Sequence, residues 1–437
     1  MSKVRLLIMV LCASLCAMGS YAQESYVLTL EQMYALADEN SKTLKTEEAA
    51  VTEAQQAIAE ARNGRLPDIG ISLSASYLGN GYLTDRDFSN GQSIKMPHFG
   101  NNLAVEATQL VYGGGAVTNS IALAKLKAEM AGVNREAARS RIRFMLTGFY
   151  LDLYKLQNVL KVYDRNIELA MMVIKDTKAR NVAGVALQND VTRYELQLKN
   201  LELARRRVEN SVEILNYDLV TMLGLPADTH IQPDTTLLER SLPVEGMAYW
   251  QATAESNAHA IKQTALAVNM GEYGEKLARA ERRPSVALIA ANHFDGPITI
   301  EVPTLNNNFN YWYVGVGVSF KLSSLYKTGK NIKRARYATE TSRRRQDDVL
   351  EQTALAVQAD YTKYLEAYDE VATLEKSVQL ATENYGVIEN RYRNDIVLVT
   401  DMLDASNQLL DAELQLANAR INVIFNYYKL KNTSGNL

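Results

Sequence analysis

Two long stretches without proline constrain the fold of this chain more than any other feature of its sequence. The 437 residues include only eight prolines, and none lies between positions 98 and 225 or between positions 304 and 437. A proline inside a helix costs about 3 kcal/mol, because it removes a backbone hydrogen bond and clashes with the preceding turn. Both stretches therefore favour long, uninterrupted helices.

The first 22 residues have the pattern of a secretory signal peptide. Two basic residues precede an apolar run from Leu6 to Ala17, and small residues follow it before a predicted cleavage site at Gln23. The only two cysteines, Cys12 and Cys16, lie inside this segment. We therefore expect a mature chain without disulfides or cysteine-bound metals. No apolar run of about eighteen residues follows Gln23, so we predict an exported protein without a membrane-spanning helix.

Charge and motif content exclude several classes of function. The 47 basic and 50 acidic side chains nearly cancel, and this balance argues against a nucleic-acid-binding protein. Gly113 to Gly115 resemble part of a phosphate-binding loop, but no Gly-Lys-Ser/Thr follows, and we interpret them as a hinge. The four histidines are far apart in sequence and predict no metal site, although His98 and His293 are both predicted in extracellular loops, where a metal site across a trimer axis is the alternative. No residues suggest a catalytic set. We therefore expect no enzyme activity and no cofactor.

The chain repeats itself, at a spacing of 217 residues near the start of each half and of 211 residues near its end. Pro67 recurs as Pro284 at the first spacing, and Asp190 recurs as Asp401 at the second. Such self-similarity indicates a tandem duplication. The predicted divisions are a first repeat at 23–223, a linker at 224–246, and a second repeat at 247–437 that ends in a tail.

Each repeat is predicted to contain an opening helix, two strands, a very long helix and a returning helix of half that length. Leu146, Phe149 and Leu153 belong to a series of apolar residues at alternating spacings of three and four. This heptad pattern predicts antiparallel coiled coils. The predicted helices include 30–62, 116–180 and 247–283, and the predicted strands lie at 68–77, about 103–111, 286–291 and 311–322.

The four predicted strands are about ten residues long, with apolar residues on one face and mostly polar residues on the other. In an exported chain this pattern is typical of outer-membrane strands, although an ordinary antiparallel sheet over a soluble core has the same alternation. Tyr77, Tyr82, Tyr311 and Tyr313 are interpreted as belt residues at the bilayer edges. Four strands cannot close a barrel, and open edges are not allowed in hydrocarbon. Two chains would supply eight strands and three would supply twelve, and this arithmetic does not choose between them.

Several segments resemble the TolC-type outer-membrane efflux proteins. Besides the duplication itself, the resemblance rests on LPDIGISLS at 66–74, LVYGGG at 110–115, TDMLDA at 400–405 and ELQLANAR at 413–420. The resemblance implies a mainly α-helical homotrimer with a 12-stranded β-barrel, four strands per chain, continuous with a long periplasmic α-helical coiled-coil barrel. It places the protein in the outer membrane, in contact with lipid. It also implies an equatorial belt formed by 23–30, 224–246 and the tail after Lys431.

The same resemblance implies roles for individual residues. Asp401 and Asp404 match paired aspartates at the periplasmic entrance, and the alternative is that they are ordinary surface aspartates that cap a helix start. Asp190 and Tyr392 match residues that hold the two hairpins together in the closed state, whereas the family's arginine in that contact falls on Val397. The turn glycine is kept in the first repeat and replaced in the second. The predicted hairpin tips, which would contact an adaptor, are Gly184 with Val185 and Asp395 with Ile396.

The resemblance implies one function, and a second one stays open. The first is an exit duct of a tripartite efflux or type I secretion system. Such a duct passively conducts substrate from an inner-membrane pump, of RND, ABC or MFS type, through a periplasmic adaptor (membrane fusion) protein. The alternative is a stand-alone outer-membrane porin or a structural envelope protein. Neither function involves nucleic acid.

Overall fold

The structure is a computed structural model that describes residues 25–234, 242–243, 245–301, 304–394 and 396–437. The predicted signal peptide at 1–22 and the predicted tip residue Asp395 lie outside these ranges, as does part of the predicted linker at 224–246. The division of the chain into a first repeat, a linker and a second repeat therefore stays a prediction.

Helices dominate both halves of the described chain. The first half contains β1 (Ser25–Leu28), α1 (Leu30–Asn40), α2 (Lys42–Asn63), β2 (Asp68–Tyr77), β3 (Gly81–Leu83), β4 (Gln92–Ile94), β5 (Phe99–Gly113), α3 (Ala116–Val182), α4 (Gln188–Leu223) and β6 (His230–Pro233). The second half contains α5 (Met247–Asn257), α6 (His259–Ala280), β7 (Ser285–Gly296), β8 (Phe309–Ser319), α7 (Ser324–Lys327), α8 (Gly329–Arg393) and α9 (Val399–Thr433). The predicted class, mainly helical with two very long helices and two shorter returning ones, is confirmed.

The described residues divide into two units. The helical unit comprises 25–46, 135–259 and 350–437, within the described ranges, and the sheet unit comprises 47–134 and 260–349. Because α2, α3, α6 and α8 cross these limits, each contributes residues to both units.

Four antiparallel strands form the main sheet of the sheet unit, in the order β2-β5-β7-β8. The strand predicted at 68–77 is confirmed to the residue. The strand predicted to end at Ala291 continues to Gly296, because β5 and β8 provide backbone partners along its whole length. His293 therefore lies in a strand, and its predicted position in a loop is wrong. The short hairpin of β3 and β4 lies between the first two predicted strands, where the sequence predicts a loop over 78–102.

One face of this sheet is apolar and exposed in the single chain. It includes residues of both edge strands that are each between 67% and 76% exposed: Ile69, Ile71 and Leu73 on β2, and Val314, Val316 and Val318 on β8. The opposite face carries polar residues such as Ser72 and Glu106. Tyr311 and Tyr313 lie on this polar face, because they pair with His293 and Ala291. This position on the polar face argues against their interpretation as belt residues at the bilayer edges, since such residues face the lipid.

The two predicted opening helices, at 30–62 and 247–283, are each broken once. Ser41 separates α1 from α2, and Ala258 separates α5 from α6; their ψ angles are 119° and 123°. In the first repeat, Asn40 Nδ2 donates a hydrogen bond of 2.9 Å to the Leu223 carbonyl at the end of α4. This tertiary contact fixes the chain where the helix breaks. The second opening helix also ends earlier than predicted, at Ala280, since a turn precedes Pro284.

Each break has a glycine packed against it. Gly224 and Gly435 have φ angles of +68° and +74°, in the left-handed region that favours glycine. A Cβ on Gly224 would lie 3.0 Å from Asn40 Cβ, and one on Gly435 would lie 2.5 Å from the Asn257 carbonyl oxygen. The breaks and these glycines recur in both repeats, so they are a duplicated packing feature of the fold.

The largest apolar cluster of the helical unit joins α1, α3 and α4 to the short parallel pair of β1 and β6. Tyr150 of α3 is fully buried at this junction. Its hydroxyl donates to the Leu28 carbonyl at 2.9 Å and accepts from the Asp234 amide at 2.7 Å. Burial raises the pKa of Tyr150 to about 12. One hydroxyl thus connects a long helix to the end of β1 and to the residue that follows β6.

Replacing Tyr150 with phenylalanine should lower the free energy of unfolding by about 1 kcal/mol, because the Leu28 carbonyl and the Asp234 amide lose the hydroxyl and keep only their mutual hydrogen bond of 3.3 Å. Thermal unfolding of the detergent-extracted protein, followed by circular dichroism, measures the change. Tyr217→Phe is the control, since Tyr217 is exposed on α4 and should change stability by about 0.5 kcal/mol or less. Equal effects of the two substitutions would contradict the role of the Tyr150 hydroxyl.

Candidate functional site

Two helix hairpins, α3 with α4 and α8 with α9, carry all of the predicted site residues. In the first hairpin the turn is closed by Gly184, whose φ is +79°. The amide of Gly184 donates to the Asn181 carbonyl at 3.0 Å, and the amide of Val185 donates to the Arg180 carbonyl at 3.0 Å. This pair of bonds is a Schellman motif, the usual way for a helix to end at a glycine.

The second hairpin repeats this turn without a glycine. The Ile396 amide donates to the Arg391 carbonyl at 3.0 Å, as Val185 does to Arg180 in the first hairpin. Asn394 Nδ2 also donates to the Asn390 carbonyl, at 2.7 Å. The predicted loss of the turn glycine is therefore accommodated with the same backbone bond, although Asp395 itself lies outside the described residues.

Both tips expose apolar side chains. Val185 and Leu187 of the first tip, and Ile396 and Leu398 of the second, are each 67–71% exposed. Two exposed apolar residues thus occur at equivalent positions of each hairpin tip.

Asp190 and Asp401 occupy equivalent positions at the starts of the returning helices. Asp190 Oδ2 accepts a hydrogen bond from the Leu187 amide at 3.1 Å, and Asp401 Oδ2 accepts one from the Leu398 amide at 3.0 Å. Each carboxylate thus satisfies a free amide at a helix N-terminus and interacts favourably with the helix dipole. The capping role considered for Asp401 is therefore present in the structure. The predicted contact of Asp190 with the second hairpin stays a prediction.

Asp401 and Asp404 lie on one exposed face of α9. Met402 and Ala405, on an adjacent face of the helix, are buried against the rest of the helical unit. Asp404 Oδ2 accepts a hydrogen bond from Gln408 one turn further along, at 2.8 Å. Two carboxylates therefore project from the same side of the helix start, close to the hairpin tip, and are free to face a neighbouring molecule.

Tyr392 joins the two hairpins. Its side chain is buried, and its hydroxyl lies 3.0 Å from Oγ1 of the fully buried Thr177 on α3. Apolar residues of both hairpins surround it, among them Ile174, Tyr194 and Met402. Burial raises the pKa of the neighbouring Tyr194. The structure thus places Tyr392 at a contact between hairpins, with Thr177 as its partner.

Arg180 makes a second contact between the hairpins. Its guanidinium lies 5.1 Å from the centre of the Tyr392 ring and donates to the carbonyls of Tyr392 and Arg393, at 3.3 Å and 2.8 Å. Asp176, one turn earlier on α3, forms an ion pair of 2.9 Å with it. Val397, on the second hairpin, packs in the apolar cluster. The arginine contact between the hairpins therefore comes from Arg180 on α3.

The sequence contains weak signals for these two missed residues. Thr177 follows Ile174 by three positions in the apolar stripe of α3, where a polar residue is unexpected and needs a buried partner. Arg180 recurs as Arg391 in the second repeat, but its spacing alone does not identify the carbonyls that it reaches. Gln197 on α4 adds a polar contact with Asn407 on α9, at 2.6 Å.

None of the described helices is both long and apolar enough to cross a membrane. Within the same described residues, no group of three or more histidine, cysteine, aspartate or glutamate side chains is placed to hold a metal ion.

Comparison with known proteins identifies one family. A family model described as outer membrane efflux protein matches residues 33–225 and again residues 250–436. The two matches correspond to the two predicted repeats, so the tandem duplication is confirmed.

Individual relatives are distant but align over nearly the whole chain. The outer membrane efflux protein BepC of Brucella suis is 22% identical over 94% of this chain and 86% of its own length. The outer membrane protein TolC of Escherichia coli is 23% identical, over 96% of this chain and 85% of its own. Among solved structures, the outer membrane protein VceC of Vibrio cholerae has a TM-score of 0.77 at 15% identity and covers 93% of this chain and 96% of its own. The fold is thus shared over 93% of this chain.

Proposed function

The chain belongs to the outer membrane efflux protein family, and from this premise we propose that it is the exit duct of a tripartite efflux or type I secretion system. The duct passively conducts substrate that an inner-membrane pump delivers through a periplasmic adaptor. The observation that carries this proposal is the four-stranded sheet, which has an exposed apolar face and ends in two edge strands within one chain.

Such a sheet needs several copies of the chain to be stable in lipid. Unpaired strand edges are not tolerated in hydrocarbon, and closed barrels have about eight strands or more. Because β2 and β8 run in opposite directions, β8 of one copy can pair with β2 of the next in the same antiparallel pattern. We propose three copies and a barrel of twelve strands, the number that the resemblance to TolC-type proteins implies.

In a threefold assembly, the exposed face of α9 would form the entrance. Three copies of Asp401 and Asp404 would place six carboxylates around one opening. Their mutual repulsion would favour bound cations and a high local cation concentration. The contacts that Thr177 and Arg180 make with Tyr392 would hold each second hairpin against the first, so we propose them as the lock of this gate.

The exposed apolar residues of the tips support a partner at the same end. A stand-alone porin has no need for exposed apolar side chains at its hairpin turns, whereas a duct in a tripartite system must bind an adaptor there. We propose that Gly184, Val185, Asp395 and Ile396 form this docking surface. Exposure of Val185 and Ile396 is the structural support for it.

Site-directed crosslinking tests the docking surface. Val185→Cys and Ile396→Cys, labelled with a photoreactive maleimide in intact envelopes, should capture a periplasmic adaptor that mass spectrometry identifies. The matched control is Phe88→Cys, an exposed residue of the loop between β3 and β4. It should react with reagents added outside intact cells and capture no adaptor. Capture of no partner from either tip would favour the stand-alone porin, and labelling of the tips from outside the cells would reverse the proposed topology.

A further inference from the structure

The polar face of the sheet carries every charged side chain of its four strands. Asp68, Glu106 and Asp295 share this face, because the register pairs Asp68 with Thr108, and Glu106 and Asn102 with Ala291 and Asp295. None of β2, β5, β7 and β8 contains a lysine or an arginine. This face therefore has a negative electrostatic potential that no basic residue of the same strands offsets.

Four rings lie nearly parallel to one another on the same face. The ring of Tyr311 is 5.3 Å from that of Phe309 and 5.0 Å from that of His293, with interplanar angles of 25° and 17°. The ring of Tyr313 is 6.1 Å from that of His293, at 12°. Phe309, Tyr311 and Tyr313 are 53%, 38% and 47% exposed. The four residues form what we call the aromatic strip.

A carboxylate lies at the side of the strip. Glu106 Oε1 is 3.9 Å from His293 Nε2, and the Glu106 side chain is mostly exposed. Asp295 lies opposite Phe309 on the neighbouring strand and accepts a hydrogen bond from Asn102. Partly exposed aromatic rings and carboxylates thus occur together, and each attracts a flat organic cation by a separate interaction.

The usual structural role of such residues does not explain the strip. Aromatic girdles of outer-membrane strands face outward to the lipid. Trp312 and Val314 lie on the apolar face, whereas Tyr311 and Tyr313 alternate with them and face the other way. Because the rings are exposed, they do not fill a core within the chain either.

We propose that the aromatic strip and Glu106 form a binding site for flat aromatic cations in the lumen of the barrel. The proposal rests on the proposed function, since closure of the sheet with its apolar face toward lipid turns the polar face inward. A threefold assembly would carry three copies of the site. Cargo of this chemistry would bind on its passage through the barrel, by stacking on the rings and by attraction to the carboxylates.

Binding of proflavine, a planar aromatic cation, tests the proposal with the detergent-extracted full-length protein. The background carries Asp401→Asn and Asp404→Asn, so that the predicted ring at the entrance does not contribute. Fluorescence anisotropy should show that Tyr311→Leu with Tyr313→Leu weakens proflavine binding at least tenfold, and that Glu106→Gln weakens it several-fold. Tetramethylammonium, which has the same charge and no ring, should displace proflavine poorly. Tyr82→Leu, in the hairpin of β3 and β4, is the control and should leave binding unchanged.

Channel conductance of the same preparations in planar bilayers distinguishes a failure of the proposed binding site from a failure of the proposed function as a duct. Variants that conduct like the background protein and bind proflavine more weakly support the aromatic strip. Normal conductance with unchanged proflavine binding in both the tyrosine and the Glu106 variants would overturn it, as would an equal loss in Tyr82→Leu. Absence of conductance from the background protein itself would instead overturn the proposed function. The Glu106→Gln variant keeps the test decisive if the double tyrosine variant fails to assemble.

Discussion

Replacing Asp401 and Asp404 together with asparagine should weaken the block of the channel by multivalent cations at least a hundredfold. Six carboxylates around one opening would bind a trivalent cation such as hexaamminecobalt far more tightly than any single exposed aspartate. Removal of the charge should therefore weaken the binding free energy of the blocking cation by about 3 kcal/mol or more, since a tenfold change in affinity corresponds to about 1.4 kcal/mol. Single-channel recordings in planar bilayers, with the cation added on the side of the helix tips, measure the half-blocking concentration.

Two features make this experiment specific for the ring. Asparagine keeps a side-chain oxygen that can still accept a hydrogen bond from the Leu398 amide, so the start of α9 should stay intact. Asp190→Asn is the matched control, because Asp190 makes the equivalent bond to Leu187 at the start of α4. It should leave the block nearly unchanged. A wild-type channel that is indifferent to multivalent cations would remove the gate assignment for Asp401 and Asp404.

Weakening the contact between the hairpins should open the channel. Thr177→Val leaves the buried Tyr392 hydroxyl without its partner, at a cost of about 1–3 kcal/mol. Arg180→Met keeps the length of the side chain but removes its hydrogen bonds to two carbonyls. If the gate is a two-state equilibrium, a loss of about 2–4 kcal/mol from the closed state shifts it toward opening by about 30-fold to 1,000-fold. The double variant should therefore show a severalfold higher mean conductance.

The control for this opening is Lys199→Ala. Lys199 pairs with Glu202 on the same helix, so its loss removes an exposed ion pair without affecting the contact between hairpins. Open probability in bilayer recordings should stay at the wild-type value. If the double variant of Thr177 and Arg180 behaves like this control, the contacts of Tyr392 do not hold the gate.

The strands and long helices could be predicted because their signals are local. Apolar and polar residues alternate along 68–77, and this pattern predicts a strand with one apolar face. The long stretches without proline predict that α3 and α8 are uninterrupted. The duplication helped further, because each element occurs twice. The end of β7 was harder to predict, since Asn292, His293 and Asp295 are polar residues, and a run of polar residues after an apolar strand is typical of a loop. Their backbone partners come from β5 and β8, which are distant in sequence.

The helix breaks and the contact between hairpins depend on tertiary partners that the local sequence does not show. Ser41 and Ala258 are compatible with a continuous helix, and only the contact of Asn40 with the end of α4 shows why the first opening helix stops there. In the same way, Arg180 lies in the last turn of a helix, where a basic residue is ordinary. Its importance follows from the two carbonyls of α8 that it reaches. The roles of Asp401 and Asp404 stay predictions until the assembly itself is measured.

The mass of the detergent-extracted protein tests the proposed assembly most directly. Multi-angle light scattering, corrected for bound detergent, should give a protein mass three times that of the mature chain, with a circular-dichroism spectrum dominated by helix. A mass of two chains would mean a barrel of eight strands and would contradict the threefold ring of carboxylates. A stable monomer with the same spectrum would contradict the closed barrel and, with it, the duct.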